Sequence, residues 1–263
     1  MLTSNYLHCS NNYCKVTISG IFFKPVKYLL KKIPIAFTKN QQYDKQTLQI
    51  VKKVCGLESN CIDIGTHEGE ILDLFIRQSP AGNHFGFEPL PFLFEKLKQK
   101  YRSLPNIHIY PFALSNQNEV AEFNYVISNP AYSGLLKRRY DRPGEQDTKI
   151  DVEVKTLDDI IPVNTKIDLI KIDVEGGEIN VLKGAGRIMA ESNPVIIFEF
   201  GMGGSDIYGA TPAIMYSFFE EFGYKISLLR NYIHNKPWLS LAELEKEFHT
   251  GSNHYFVAYK FIQ

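Results

Sequence analysis

Five charged residues crowd one short stretch of this 263-residue chain, "IDLIKIDVEGGE": Asp168, Lys171, Asp173, Glu175 and Glu178. Its other residues are mostly apolar, so it reads as a buried strand with acids at its end and in the turn that leaves it. Side chains alternate along a strand, which sends Lys171 and Asp173 to one side and brings Asp173 and Glu175 together at the C-terminal edge. Ion pairing with Lys171 is one reason for such acids. A chemical task is the other, because an unpaired buried carboxylate is costly. Glu199, in "IIFEFG", aims a further acid at the same cleft or into a solvated loop.

A second set stands in "CIDIGTHEGE", where an apolar run ends in Asp63, Gly65, Thr66, His67 and Gly69. The two glycines let the chain turn from a buried strand into a helix beginning near Glu68. His67 stands where a G-x-G-x-x-G dinucleotide fingerprint needs bare backbone against a pyrophosphate, so an NAD enzyme is disfavoured. A ligand without phosphates, approached by the backbone of Gly65 and Thr66, fits better. Glu88, in "GFEP", comes about 20 residues later, where an acid accepts hydrogen bonds from both hydroxyls of a ribose; its other reading is a helix cap ahead of Pro89. The histidines His8, His67, His84, His108, His234, His249 and His254 form no i, i+4 pair and no H-x-H, so no metal site is expected.

These residues need a scaffold, and the pattern supplies one. Strands "NCIDIG", "HFGFEP", "NIHIYPFAL", "KIDLIKIDV", "PVIIFEF", "KISLL" and "HYFVAYKFI" alternate with helices such as "EGEILDLFIRQ", "PFLFEKLKQKY", "GEINVLKGA" and "TPAIMYSFFEEFGY". Such alternation implies βαβ crossovers and a doubly wound α/β fold with a mostly parallel, seven-stranded sheet. Ligands then sit beyond the carboxyl ends of the strands, where the acids and the glycine turn lie. Between "VAEFNYVI" and "KIDVEVKTL", which read as extended, "SNPAYSGLLKRRYDRPGEQDT" is a long polar loop. It is expected to be a flap near residues 128–148, mobile without an acceptor.

The length suits one large domain, read as residues 41–263, with residues 1–40 as an appendage. The formal net charge is zero, which argues against a nucleic-acid partner and for a small or neutral one. Cys9, Cys14, Cys55 and Cys61 lack paired metal spacing, and no apolar run resembles a signal peptide or a bilayer span, so a cytoplasmic protein is expected. In "GIFFKPVKYLLKKIPIAF", Lys24, Lys27, Lys31 and Lys32 alternate with apolar residues. Pro25 and Pro34 confine any basic helix there to about two turns, so it is expected to pack on the domain rather than lie on a membrane.

The ordered set "IDIGTHEGE", "GFEP", "FALS", "YSGLL", "VEVKTLDDI" and "IDLIKIDVEGGEINVLKGA" resembles the FkbM-type methyltransferases, within the class I S-adenosylmethionine-dependent superfamily, from about Asn60 to Phe200. The resemblance implies that Asp63, Gly65 and His67 line the methionine part of S-adenosylmethionine, that Glu88 holds its ribose and that Ala113 and Leu114 border its adenine. It places Asp173 and Glu175 beside the reacting centre and implies an oxygen acceptor. Methyl transfer from a sulfonium is an in-line displacement, so the protein mainly aligns reactants and excludes water, but a neutral alcohol needs a base. Asp173 and Glu175 are the expected bases, with Glu199 and His254 behind them. The expected acceptor is a hydroxyl of a saccharide or glycoconjugate, held between Tyr132, Arg138, Arg139 and Tyr140 of the flap and the loops around Trp238. A polyketide or other secondary metabolite is the alternative acceptor, and a noncatalytic binding module the alternative class.

Overall fold

A computed structural model describes residues 39–140 and 143–261. The chain divides into two compact units, Met1–Gln42 and Tyr43–Gln263. The basic segment around Lys24 to Lys32 and the cysteines Cys9 and Cys14 lie outside the described residues.

Helix α1 (Lys39–Val54) precedes strand β1 (Cys61–Ile64), and then α2 (Glu70–Gln78), β2 (His84–Phe87), α3 (Pro91–Tyr101) and β3 (Ile107–Tyr110) follow in alternation. After an inserted segment that ends in the short helix α4 (Leu157–Ile160) come β7 (Leu169–Ile172), helices α5 (Glu178–Lys183) and α6 (Gly186–Ser192), β8 (Val195–Glu199) and α7 (Pro212–Glu221). The chain closes with β9 (Tyr224–Leu228), α8 (Leu229–Ile233), α9 (Leu241–Thr250) and β10 (Tyr255–Lys260). These strands form the seven-stranded sheet in the order β3-β2-β1-β7-β8-β10-β9. All pairs are parallel except those of β10, which runs against β8 and β9. The order reverses direction beside β1, so β1 and β7 flank the switch point where such sheets open a cleft.

Alternation assigns the two faces. Ile62, Ile64, Ile170, Ile172, Ile196, Phe198 and Phe256 pack with α5, α6, α7 and α9 in one apolar core. Cys61, Leu169, Ile197 and Val257 face the other way, onto Ile50 and Val51 of α1, Leu72 and Phe75 of α2 and Leu229 of α8. Each fully buried aliphatic or aromatic side chain contributes about 1.5–3 kcal/mol. Two residues further along each strand, the second face turns polar. Asp63 lies opposite Lys171 and Tyr255 opposite Glu199 in the strand registers, and Asp173 follows Lys171 by two. The apolar rows thus fix a row of charges at the C-terminal edge.

Several expectations are corrected by the structure. "NIHIYPFAL" is not one strand: Pro111 offers no N–H, and the chain leaves β3 for β4 (Ala113–Leu114), which joins a second sheet. That sheet, in the order β4-β6-β5, holds the two extended segments as an antiparallel pair, β5 (Glu119–Val126) and β6 (Asp147–Lys155). Helix α2 begins at Glu70 rather than near Glu68, because Gly69 takes the left-handed conformation at φ 80° as its cap. "GEINVLKGA" ends its helix at Lys183, and α6 follows past Gly184, where a Cβ would lie 2.1 Å from the Ser115 carbonyl oxygen. The five residues of α8 are too few for a legible period. Among the described residues, no helix is long and apolar enough to cross a membrane.

Candidate functional site

The glycine turn is fastened to the end of β2. Gly65 and Thr66 both donate their N–H to the Phe87 carbonyl at 3.1 and 3.0 Å, and the buried Thr66 hydroxyl donates to the Asp63 carbonyl at 2.8 Å. His67 continues the turn in the left-handed region at φ 50°, a conformation that costs a non-glycine residue energy, and its N–H donates to Glu88 Oε2 at 2.9 Å. The other oxygen of Glu88 accepts from the Leu90 N–H at 3.0 Å. Glu88 therefore caps the entry to α3 and braces the glycine turn together. Each of its oxygens keeps a lone pair for a further donor. Burial pushes its carboxyl up to about 7 against these two bonds.

The turn also touches the end of β7. A Cβ on Gly65 would lie 1.9 Å from the Asp173 carbonyl oxygen, and φ is 78° there, so glycine is needed for both contact and conformation. That contact holds Asp173 beside the turn. Its Oδ2 accepts from Lys171 Nζ at 2.7 Å and from the Tyr255 hydroxyl at 2.5 Å. Burial pushes Asp173 up, but the Lys171 ammonium and these hydrogen bonds outweigh it and hold the carboxyl below its ordinary range. Burial, then repulsion from Asp173 and Glu178, holds Glu199 well above it. Asp63 is 1% exposed with neither carboxyl oxygen hydrogen-bonded among the described residues, and burial pushes it up to about 7 against the pull of Lys171. Glu178, equally buried, accepts the N–H groups of Val174 and Gly176 on one oxygen, and burial pushes it up to about 7. It thereby shapes the turn in which Glu175 stands left-handed at φ 60°.

The loop between β5 and β6 closes over this turn. Arg138 forms an ion pair with Glu175 and lies 5.0 Å over the Tyr132 ring, which stacks on Tyr140 at 6.2 Å. The Arg139 N–H donates to the Gly203 carbonyl at 3.0 Å, its guanidinium pairs with Asp206, and the Leu136 N–H donates to the Tyr208 hydroxyl. The loop expected to be a flap thus meets the loop after β8 through charged and backbone contacts.

Asp63, Gly65, Thr66, His67, Gly69, Glu88, Asp173, Glu175 and Glu199 are brought to one edge by these contacts and registers. Ala113 and Leu114 are buried in β4, Ala113 beside Leu90 and Leu114 in the main core. The His254 ring lies against Gly201, two residues past Glu199, and against Gly251. Trp238 is further off. It packs on Phe261 and under Lys225, at the start of β9 and the end of β10, which is the opposite edge of the sheet because β10 is antiparallel. The loop carrying Gly203, Asp206 and Tyr208 takes the place expected for it. Sequence reasoning missed Tyr255; the alternation in "YFVAY" put it with Val257 on one face, but the register against Glu199 had no sequence signal.

One oxygen each of Asp173, Glu175 and Glu199 lies within 4.8 Å of the others, a spacing that a single cation could bridge. The chain meets two of these acids with its own cations, Lys171 on Asp173 and Arg138 on Glu175. What this edge offers is a strained glycine turn, a buried carboxylate 21 residues beyond His67 in sequence, and an excess of acids over cations. That donor set suits a ligand bearing hydroxyls and a positive charge.

Several known proteins are similar to this chain. Methyltransferase sdnD of Sordaria araneosa is 24% identical over 188 residues, covering 60% of this chain and 71% of that protein. Methyltransferase FkbM from Methylobacillus flagellatus KT is 16% identical with a TM-score of 0.48 over 78% of this chain, which spans only 44% of that protein. SMU.1697c, a putative methyltransferase from Streptococcus mutans solved with SAH, is 9% identical with a TM-score of 0.46, covering 86% of this chain and all of that one. The sequence profile of the methyltransferase FkbM domain matches residues 63–226. That match starts at the buried Asp63 and takes in the ends of β1, β2, β7 and β8 that build the cleft, so the chain belongs to the FkbM-domain methyltransferase family.

Proposed function

We infer that the protein is an S-adenosylmethionine-dependent O-methyltransferase acting on a hydroxyl of a saccharide or glycoconjugate. The observation that carries this reading is the meeting of the Gly65 turn, Glu88 and the Asp173–Glu199 acids at four neighbouring strand ends. The donor set fits the cofactor. Glu88 retains acceptor capacity for two ribose hydroxyls, and the acids, more numerous than Lys171 and Arg138, favour a sulfonium. Asp63, Gly65, Thr66, His67 and Gly69 would hold its amino-acid end, and Ala113 with Leu114 its adenine. Bound there, S-adenosylmethionine supplies an activated methyl group for in-line displacement.

The chain's own task is to orient the acceptor hydroxyl, take its proton and keep water out. Lys171 and the Tyr255 hydroxyl already donate to Asp173, and Arg138 pairs with Glu175, so Glu199, held well above the ordinary carboxylate range by burial, is the acid best placed to take the proton. The docked loop excludes water from above. Arg138 and Arg139 keep guanidinium N–H groups beyond those in their ion pairs with Glu175 and Asp206, donors that suit a polar acceptor. A formal net charge of zero speaks against a nucleic-acid acceptor.

The test is to supply labelled S-adenosylmethionine with pools of nucleotide sugars, oligosaccharides and hydroxylated polyketides, and to locate the methyl by mass spectrometry. Methyl on a sugar oxygen is expected. Methyl only on polyketides moves the acceptor to secondary metabolism, and transfer only to nitrogen or to RNA overturns the O-methyl assignment.

A further inference from the structure

The acids Asp173 and Glu199 differ in what donates to them. Asp173 receives both Lys171 and the Tyr255 hydroxyl on a single oxygen, at 2.7 and 2.5 Å. Among the described residues no lysine, arginine or hydroxyl donates to Glu199; its contact is with Asp173 itself, their nearest oxygens lying within 4.8 Å. Two carboxyls this close do not both ionise unless cations compensate them, and they then titrate as a pair.

The groups around the pair do not supply that compensation. Lys171 from β7 and Asp63 from β1 face it along the sheet, and Tyr255 from β10 closes the other side, with Tyr43 of α1 packed on its ring at 5.0 Å. Glu178 from α5 and Glu175 from the turn add negative charge, and Arg138, ion-paired with Glu175, offsets the Glu199 charge only in small part. Asp63, Glu175 and Glu178 thus add three acids around the pair, against the Lys171 ammonium, shared by Asp173, Asp63 and Glu199, and the Arg138 guanidinium.

We propose that Asp173 and Glu199 hold one proton between them in the cofactor-free protein, that Tyr255 is the positioning residue confining it to the Glu199 side, and that an arriving sulfonium expels it to water. The inference rests on the cofactor reading above. No other bond is made or broken: Glu199 loses a proton to solvent, and the sulfonium replaces its charge. Glu199 then becomes able to accept the proton of an acceptor hydroxyl only when the methyl donor is in place. The opposed displacements of the two acids, Glu199 up by burial and Asp173 down by Lys171, agree with this partition.

Calorimetric titration of the full chain near neutral pH, repeated in buffers of different ionisation enthalpy, counts the protons exchanged. S-adenosylmethionine and S-adenosylhomocysteine share the ribose and the amino acid and differ in the charge on sulfur. Protons released by Glu88 on meeting the ribose therefore cancel in the difference. The expected difference is about one proton more for the sulfonium. Glu199→Gln should remove the difference while binding persists, and Tyr255→Phe should shift the pH at which it is half complete. Equal proton counts for the two ligands in the unmodified protein, or a difference that survives in Glu199→Gln, overturn the proposal and leave the methyltransferase reading standing. Binding of neither ligand overturns the cofactor reading and this proposal with it.

Discussion

Glu88 joins two elements through one side chain, so its substitutions separate binding from bracing. Replacing it with Ala removes the acceptor for two ribose hydroxyls, and hydrogen bonds to a charged group contribute about 1.5–3 kcal/mol each. It also leaves the buried N–H groups of His67 and Leu90 without their partner, so melting should fall together with affinity. Glu88→Gln keeps an acceptor but loses the charge, and calorimetry should find affinity lowered more than stability. Affinity unchanged from that of the unmodified protein in both variants would leave Glu88 as a helix cap alone. Glu178 supplies a pH signature. Burial raises its folded-state carboxyl to about 7, above an unfolded value near 4.3. Between those values the folded state binds the extra proton, so this group's contribution is full below the lower value and is lost as pH rises through the upper one. Glu178→Gln should therefore gain on the unmodified protein between pH 4.5 and pH 8, by up to roughly 3 kcal/mol. Denaturant titrations at the two pH values read this directly, and a gain that shrank with rising pH would contradict it.

At the scale of elements, the cleft depends on backbone fitting against backbone. A Cβ at Gly65 would strike the Asp173 carbonyl and also require a left-handed alanine, so Gly65→Ala should push the ends of β1 and β7 apart. Strain of this kind costs about 1–3 kcal/mol in conformation alone. The expected outcome is a folded but less stable protein with cofactor binding lost; unchanged binding would place the ligand elsewhere. Such contacts also mark what the sequence discloses and what it hides. The glycine turn, the acid-tipped strands and the side shared by Lys171 and Asp173 were legible because strand alternation and glycine's freedom are local. The split at Pro111, the docking of Arg138 on Glu175 and the place of Tyr255 were not, since each depends on pairing between segments far apart in the chain. Trp238 failed for the same reason. Nothing local says that β10 runs antiparallel and carries its far end to the opposite edge of the sheet.

For the whole molecule, the doubly wound sheet does one mechanical thing: it lines up the ends of β1, β2, β7 and β8 so that apolar rows below them fix charged residues above. The second sheet, β4-β6-β5, carries the loop that covers them. The most direct check is an experimental structure of the protein with S-adenosylhomocysteine bound. The expected result is both ribose hydroxyls within hydrogen-bonding distance of the Glu88 carboxylate, the adenine against Ala113 and Leu114, and the sulfur turned toward Asp173 and Glu199 beneath Arg138. A nucleoside lodged elsewhere, or a Glu88 that still touches only the N–H groups of His67 and Leu90 in the complex, would contradict it.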